Sequence, residues 1–272
     1  IRCDSQPEYI PLKQDEQFLP LTSAMVYNGT IYAATFDTST MSSELYTVDP
    51  DTFETTLIGP CFDGCVDIAN APGLGFGVGV FGNAVYIIDL ATGDYINGYY
   101  LFSNNLVGIT YYGTQYYNDY GFNANVDYFL ILDRTGTVYL MGFLADEAGN
   151  VFYLEHPSTN GGIFTVVNYQ TDTVYFGSAY FDGEFLYWSV YNESKDVSTL
   201  FAIDTVGSRK AYNLGDFGAG IWPVGGLSEL DLPKEEVTLL GDVNGDGNID
   251  TTDAKLIMQL DLGLLDKFPA EG

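Results

Sequence analysis

Histidine is nearly missing from this chain: in 272 residues there is one, His156. A zinc centre built on two or three imidazoles is therefore excluded within it. His156 would also have to serve any Ser-His-Asp arrangement, yet no G-x-S-x-G elbow occurs, and Glu155-His156-Pro157 reads as a strand end or turn. Basic residues are scarce as well. Nine Lys and Arg stand against 37 Asp and Glu, a formal charge of −28 that disfavours nucleic acid and anionic membrane surfaces as partners. No apolar run has the length needed to span a bilayer, so membrane insertion is not expected, and the sequence starts at Ile1 without a charged-then-apolar leader, so a signal segment is expected upstream. Cysteine is limited to three. Cys61 and Cys65 are close enough to pair across Phe62-Asp63-Gly64, which leaves Cys3 alone, and both the paired and the free-thiol readings stay open.

What is abundant is apolar and aromatic. Hydrophobic residues make up 46% of the chain, with 22 Tyr and 18 Phe, enough for one sizeable core and a small appendage. Residues 1–20 are polar and proline-punctuated, a linker or the remnant of an upstream region. From 21 to 232 the chain turns to short alternating runs of Tyr, Phe, Val and Ile, broken by Asn-Gly, Asp-Gly and Thr-Gly turns, with no helical pattern. These runs repeat. Tyr27-Asn28-Gly29-Thr30-Ile31-Tyr32 corresponds to Phe181-Asp182-Gly183-Glu184-Phe185-Leu186, and downstream Leu45-Tyr46-Thr47-Val48-Asp49 corresponds to Leu200-Phe201-Ala202-Ile203-Asp204. A shorter copy lies at Val85-Tyr86-Ile87-Ile88-Asp89, and a blurred one between Val107 and Tyr153 contains Asp133-Arg134-Thr135-Gly136. Four-stranded repeats of about 40 to 50 residues predict an all-β fold, a β-propeller of about five blades of four antiparallel strands. Ile221-Trp222-Pro223-Val224-Gly225-Gly226-Leu227 is expected to start the last blade or to close the ring. A β-sandwich would match the strand count without explaining the spaced repeats.

Residues 233–272 carry the one strong motif, Gly241 to Asp253. Counting from Asp242, oxygen donors fall at the calcium-loop positions: Asp242, Asn244, Asp246, the backbone carbonyl of Asn248, Asp250 and Asp253, with Gly247 at the sharp turn. Thr252 to Leu262 reads as an exiting helix closed by Gly263, whereas Val237-Thr238-Leu239-Leu240 is too short and β-branched for an entering one. A loop and exiting helix with Asp at position twelve resembles the first repeat of a type I dockerin, the module that docks proteins onto the cohesin domains of a scaffoldin. That resemblance covers about 30 residues. It implies a bound Ca2+, a cohesin partner contacted by Thr251 and Thr252, and a second repeat that this sequence does not include. The propeller-type repeats likewise resemble those attached to dockerins in secreted proteins of gut and rumen Firmicutes.

Two candidate chemistries remain. Paired carboxylates serve glycoside hydrolysis, but with 37 acids the sequence gives no reason to choose among Asp127, Asp133, Glu155, Asp182 and Glu184. Flat aromatic faces stack on sugar rings, and the candidates are Tyr116, Tyr117 and Tyr120 in a polar, turn-rich insertion, together with Trp188 and Trp222. Gly73, Gly75, Gly77 and Gly79 superficially match a dinucleotide loop, but no helix pattern follows, so blade glycines crowded near the axis are expected. The expectation is a secreted or cell-surface binding module for a glycan or protein. A carbohydrate-active enzyme and a structural spacer are the alternatives.

Overall fold

The computed structural model describes residues 13–14, 17–19, 21–37, 39–61, 64–70, 75–101, 103, 105–119, 122–146, 150–154, 162–167, 169, 174–192 and 194–217. All of them belong to the first of the two units into which the chain divides, Ile1–Leu230. Regular structure among the described residues is β-strand throughout. A two-residue pair, β1 (Lys13–Gln14) and β2 (Gln17–Phe18), precedes four four-stranded meanders. The first contains β3 (Leu21–Tyr27), β4 (Thr30–Thr35), β5 (Ser43–Val48) and β6 (Thr55–Cys61). The second contains β7 (Asp67–Asn70), β8 (Gly77–Phe81), β9 (Ala84–Ile88) and β10 (Tyr95–Tyr100). The third contains β11 (Leu106–Asp119), β12 (Phe122–Asp133), β13 (Thr137–Ala145) and β14 (Val151–Leu154), with β15 (Phe164–Thr165) added beside β13. The fourth contains β16 (Val174–Phe181), β17 (Phe185–Asn192), β18 (Val197–Asp204) and β19 (Ala211–Phe217).

The first strands of the sheets form a ring: β3 packs on β7, β7 on β11, β11 on β16, and β16 back on β3. Sheets radiating from such a ring make a β-propeller, here of four blades. The expected five is corrected. Four sheets already close the ring, so a fifth blade starting at 221–227 is not needed. The 106–154 span read from sequence as one blurred copy is one blade, lengthened because β11 and β12 run for 14 and 12 residues, about twice an ordinary strand. The 221–227 stretch lies outside the described residues.

Alternation supplies each blade with two apolar faces. In β17, Leu186, Trp188 and Val190 are buried while Phe185, Tyr187 and Ser189 are partly exposed. Met25, Leu45, Ile68 and Ile88 pack between blades 1 and 2. Val80, Ile87, Ile109 and Phe129 pack between blades 2 and 3, and Leu130, Leu132, Leu186 and Trp188 between blades 3 and 4. Each such side chain contributes about 1.5–3 kcal/mol by burial. The predicted axial crowding of the glycines has a different cause: Gly77 lies on the second strand of blade 2, where a β-carbon would press on Leu90, Met25 and Ile68 at 3.1–3.3 Å.

The repeat is written in its turns. Asn28-Gly29 joins the first and second strands of blade 1 with φ of 50° and 75°, the left-handed pair that a tight hairpin needs. In blade 4 the same two strands are joined by Asp182-Gly183-Glu184, where only Gly183, at 101°, is left-handed. At the end of every third strand an aspartate caps the turn to the fourth. Asp49 accepts N–H bonds from Asp51 and Thr52, Asp89 from Ala91, Asp146 from Asn150, and Asp204 from Val206 and Gly207. Asp146 is thus the blade 3 counterpart of Asp49. The Asp133-Arg134-Thr135-Gly136 turn, taken from sequence as that copy, instead joins the second strand to the third.

Candidate axial binding site

Where the four first strands meet, residues 24–26, 68–70, 109–111 and 179–181 line a cavity of about 70 Å³. The residue just before each triplet occupies the same place on its strand, and the four are Ser23, Asp67, Gly108 and Ser178. Asp67 is fully buried and binds all three other blades. Its Oδ1 accepts the hydroxyls of Ser23 at 2.6 Å and Ser178 at 3.0 Å, together with its neighbour's Ile68 N–H at 3.1 Å. Its Oδ2 accepts the backbone N–H groups of Ile109 at 2.8 Å and Ala179 at 3.0 Å. Burial pushes its pKa up to about 7, and the bonds from Ser23, Ile109, Ala179 and Ser178 pull the other way.

The cavity wall is mixed. Ala24, Met25, Val26, Ile68 and Ala69 supply apolar groups, while Asn70 and Thr110 supply polar ones. Thr110 Oγ1 accepts the Phe181 N–H at 3.1 Å and so ties blade 3 to blade 4. The Asn70 Nδ2 is buried and, among the described residues, has no hydrogen-bond partner. Aromatic side chains stand around these groups. Tyr111, Tyr180 and Phe181 line the cavity, and Tyr112 stacks on Phe181 with ring centroids 5.1 Å apart at 30°. Past Tyr111 a bulge at Gly113, with φ of 149°, carries β11 outward. β12 pairs with β13 only from Asp127 onward, so residues 114–119 and 122–126 form a two-stranded ribbon projecting from the blade. At the ribbon's base Asp127 is buried and accepts the Thr114 hydroxyl, which also bonds the Tyr111 hydroxyl.

No family model and no curated protein matches this chain. Among solved structures it is similar to the computationally designed Ika4 protein, at 9% identity and a TM-score of 0.34, over 77% of this chain and 100% of that one. It is also similar to the WD40 beta propeller domain of Doa1, at 10% identity and a TM-score of 0.37, over 78% of this chain and 73% of that one. Likenesses this distant leave the fold resting on the ring of first strands.

Of the aromatic candidates, Tyr116 is 65% exposed on the ribbon, next to half-buried Tyr117. Trp188 is corrected: it is fully buried between blades 3 and 4, because its position on β17 alternates inward with Leu186, and it presents no face to a ligand. Tyr120 and Trp222 lie outside the described residues, as do His156, Glu155, the calcium-loop residues Asp242, Asn244, Asp246, Asn248, Asp250 and Asp253, and the cohesin-contact pair Thr251 and Thr252. Of the carboxylate candidates, Asp133 and Asp182 hold turns. Asp133 Oδ1 accepts from Thr135 and Thr137 and its Oδ2 from the Tyr139 hydroxyl, while Asp182 accepts from the N–H groups of Glu184 and Phe185. Cys61 and Cys65 are buried free thiols; a hydrogen bond with Cys61, and then burial, raise the Cys65 pKa. Asp67 and Asn70 were not singled out from sequence. Aligning the first strands would have exposed Asp67, since a Ser-Asp-Gly-Ser set at one repeat position is not a core pattern.

Proposed function

We propose that this chain is a secreted, non-catalytic binding module that takes a glycan at the axial mouth and is held on a cohesin-bearing scaffold through a calcium-loaded dockerin repeat. The observation that carries the glycan reading is a small cavity at the propeller axis with a buried amide that no described group bonds, lined by Tyr111, Tyr180 and Phe181, with Tyr112 stacked on Phe181. Stacked rings bind the apolar face of a sugar, and one or two fixed polar groups orient it. Tyr116 and Tyr117 on the ribbon extend the contact along a longer chain. A glycan array probed with the intact chain tests this, with Tyr112→Ala and Tyr116→Ala as controls. Array signal lost in both variants supports the reading, and an array without signal for the parent chain refutes it.

The attachment reading rests on the donor set of the 242–253 loop. Its carboxylates, one side-chain amide and one backbone carbonyl suit a hard cation that takes six to eight oxygens. The ion would join these groups and order the helix start that carries Thr251 and Thr252. A lone helix of about 11 residues is marginal without a second repeat to pack on. Cohesin titrations should therefore give weak binding for this chain and tight binding once a second repeat is appended. Equal affinities would refute the two-repeat requirement.

A further inference from the structure

We propose that the axial cavity is an acetamido pocket, so that the glycans bound at this mouth are those containing N-acetylhexosamine. This rests on the glycan reading above and narrows it to one sugar class. Three properties of the cavity select the group. The first is size. A cavity of about 70 Å³ is on the scale of a three-heavy-atom acetyl substituent and is small for a whole pyranose ring. The ring must then stay outside, where the aromatic side chains are.

The second is the pairing of wall chemistry. Ala24 and Ala69 offer methyl-sized apolar contact, while Asn70 Nδ2 is a buried donor that no described group satisfies. An unsatisfied buried donor costs stability, and an acetamido carbonyl would remove that cost while its methyl met the apolar wall. A plain hydroxyl could accept the same hydrogen bond but would leave the apolar wall uncovered.

The third is charge. None of the described Lys or Arg side chains lines the cavity, and the Asp67 carboxylate sits one residue below Ile68. Carboxylated sugars such as uronic or sialic acids would bring a charge to a wall that has no cation to receive it. A neutral substituent with one acceptor and one methyl fits what the wall provides.

The test is calorimetric titration of the intact chain with the methyl β-glycosides of N-acetylglucosamine, N-acetylgalactosamine, glucose and galactose. N-acetylated sugars are expected to bind at least tenfold more tightly than their parents. Asn70→Asp, which puts an acceptor against the carbonyl, should bring that ratio to about one, whereas Tyr112→Ala should weaken all four sugars alike. Intermolecular NOEs from the acetamido methyl to the Ala24 and Ala69 methyl groups, recorded on the unmutated chain, give a readout independent of whether Asn70→Asp folds. Equal affinity for acetylated and parent sugars, or a ratio unchanged in Asn70→Asp, overturns the acetamido pocket and leaves glycan binding standing. Binding of none of the four, together with a blank glycan array, overturns both.

Discussion

Replacing Asp67 by Asn tests the axial carboxylate with almost no change of shape. Burial raises its pKa to about 7, whereas an unfolded aspartate titrates near about 3.9. Between those values the folded chain keeps a proton that the unfolded chain has released. Stability from this group is therefore full below about pH 4, falls as pH rises, and is flat above about pH 7. Three pH units at 1.36 kcal/mol each set the loss at about 4 kcal/mol, a large share of the 5–15 kcal/mol that holds a typical domain. An asparagine has no charge to desolvate. Its oxygen can take the Ile109 and Ala179 N–H groups, and its amide can donate to the Ser23 and Ser178 hydroxyls, which accept as readily as they donate. Asp67→Asn should thus match the parent near pH 4 and exceed it by up to about 4 kcal/mol at pH 8, a rise in midpoint on the order of 8–16 °C. Asp67→Ala leaves the Ile109 and Ala179 N–H groups buried without acceptors and should cost about 2–6 kcal/mol at pH 5. Urea unfolding followed by tryptophan fluorescence at pH 4, 5 and 8 measures all three chains. A parent-to-Asn difference that is the same at pH 4 and pH 8 would refute the reasoning, because the other carboxylates titrate equally in both.

Trp188→Ala should cost about 3–5 kcal/mol in the same urea assay, since it opens a large cavity between blades 3 and 4; a loss below about 1 kcal/mol would mean the interface recloses. Gly29→Ala meets no atom within 4 Å, so it isolates the backbone strain of φ 75°, and a loss of about 1–2 kcal/mol is expected by thermal melting. The backbone N–H groups of Gly207 and Ser208 hold Asp204 down to about 2; its stabilisation is present above about pH 4 and lost as pH falls through 2, which a carboxyl NMR titration reads directly. Calcium titration should show one ion bound, lost in Asp246→Ala, and hydrogen exchange over residues 241–262 should quicken in EDTA.

What the sequence revealed was what neighbouring residues determine. Asn28-Gly29 and Asp182-Gly183 fix the φ values of their own hairpins, so the repeat they mark could be read without knowing what it packs against. The calcium-loop expectation is equally local, since all its proposed donors lie within twelve residues, and it falls outside the described residues. The blade count failed at the closure: five allowed 221–227 to start a last blade, and nothing local announces that β16 packs back on β3 to close the ring at four. Trp188 failed because exposure depends on which face of β17 meets blade 3, a question of parity settled by the whole ring. Asp67 was one acid among 37, and its distinction is made by groups up to 112 residues away.

That separation bears on how the propeller assembles. A stack of repeats can lose an end unit and keep the rest, because each unit answers only to its neighbours. Here blade 2 carries a charge whose final partners, Ser178 and Ala179, arrive with blade 4. A nascent chain holding only the first three blades keeps that carboxylate short of two donors and open to water, so its axis cannot dry. Completion of the ring and dehydration of the charge are then one event, and the domain should melt in a single transition instead of unzipping blade by blade.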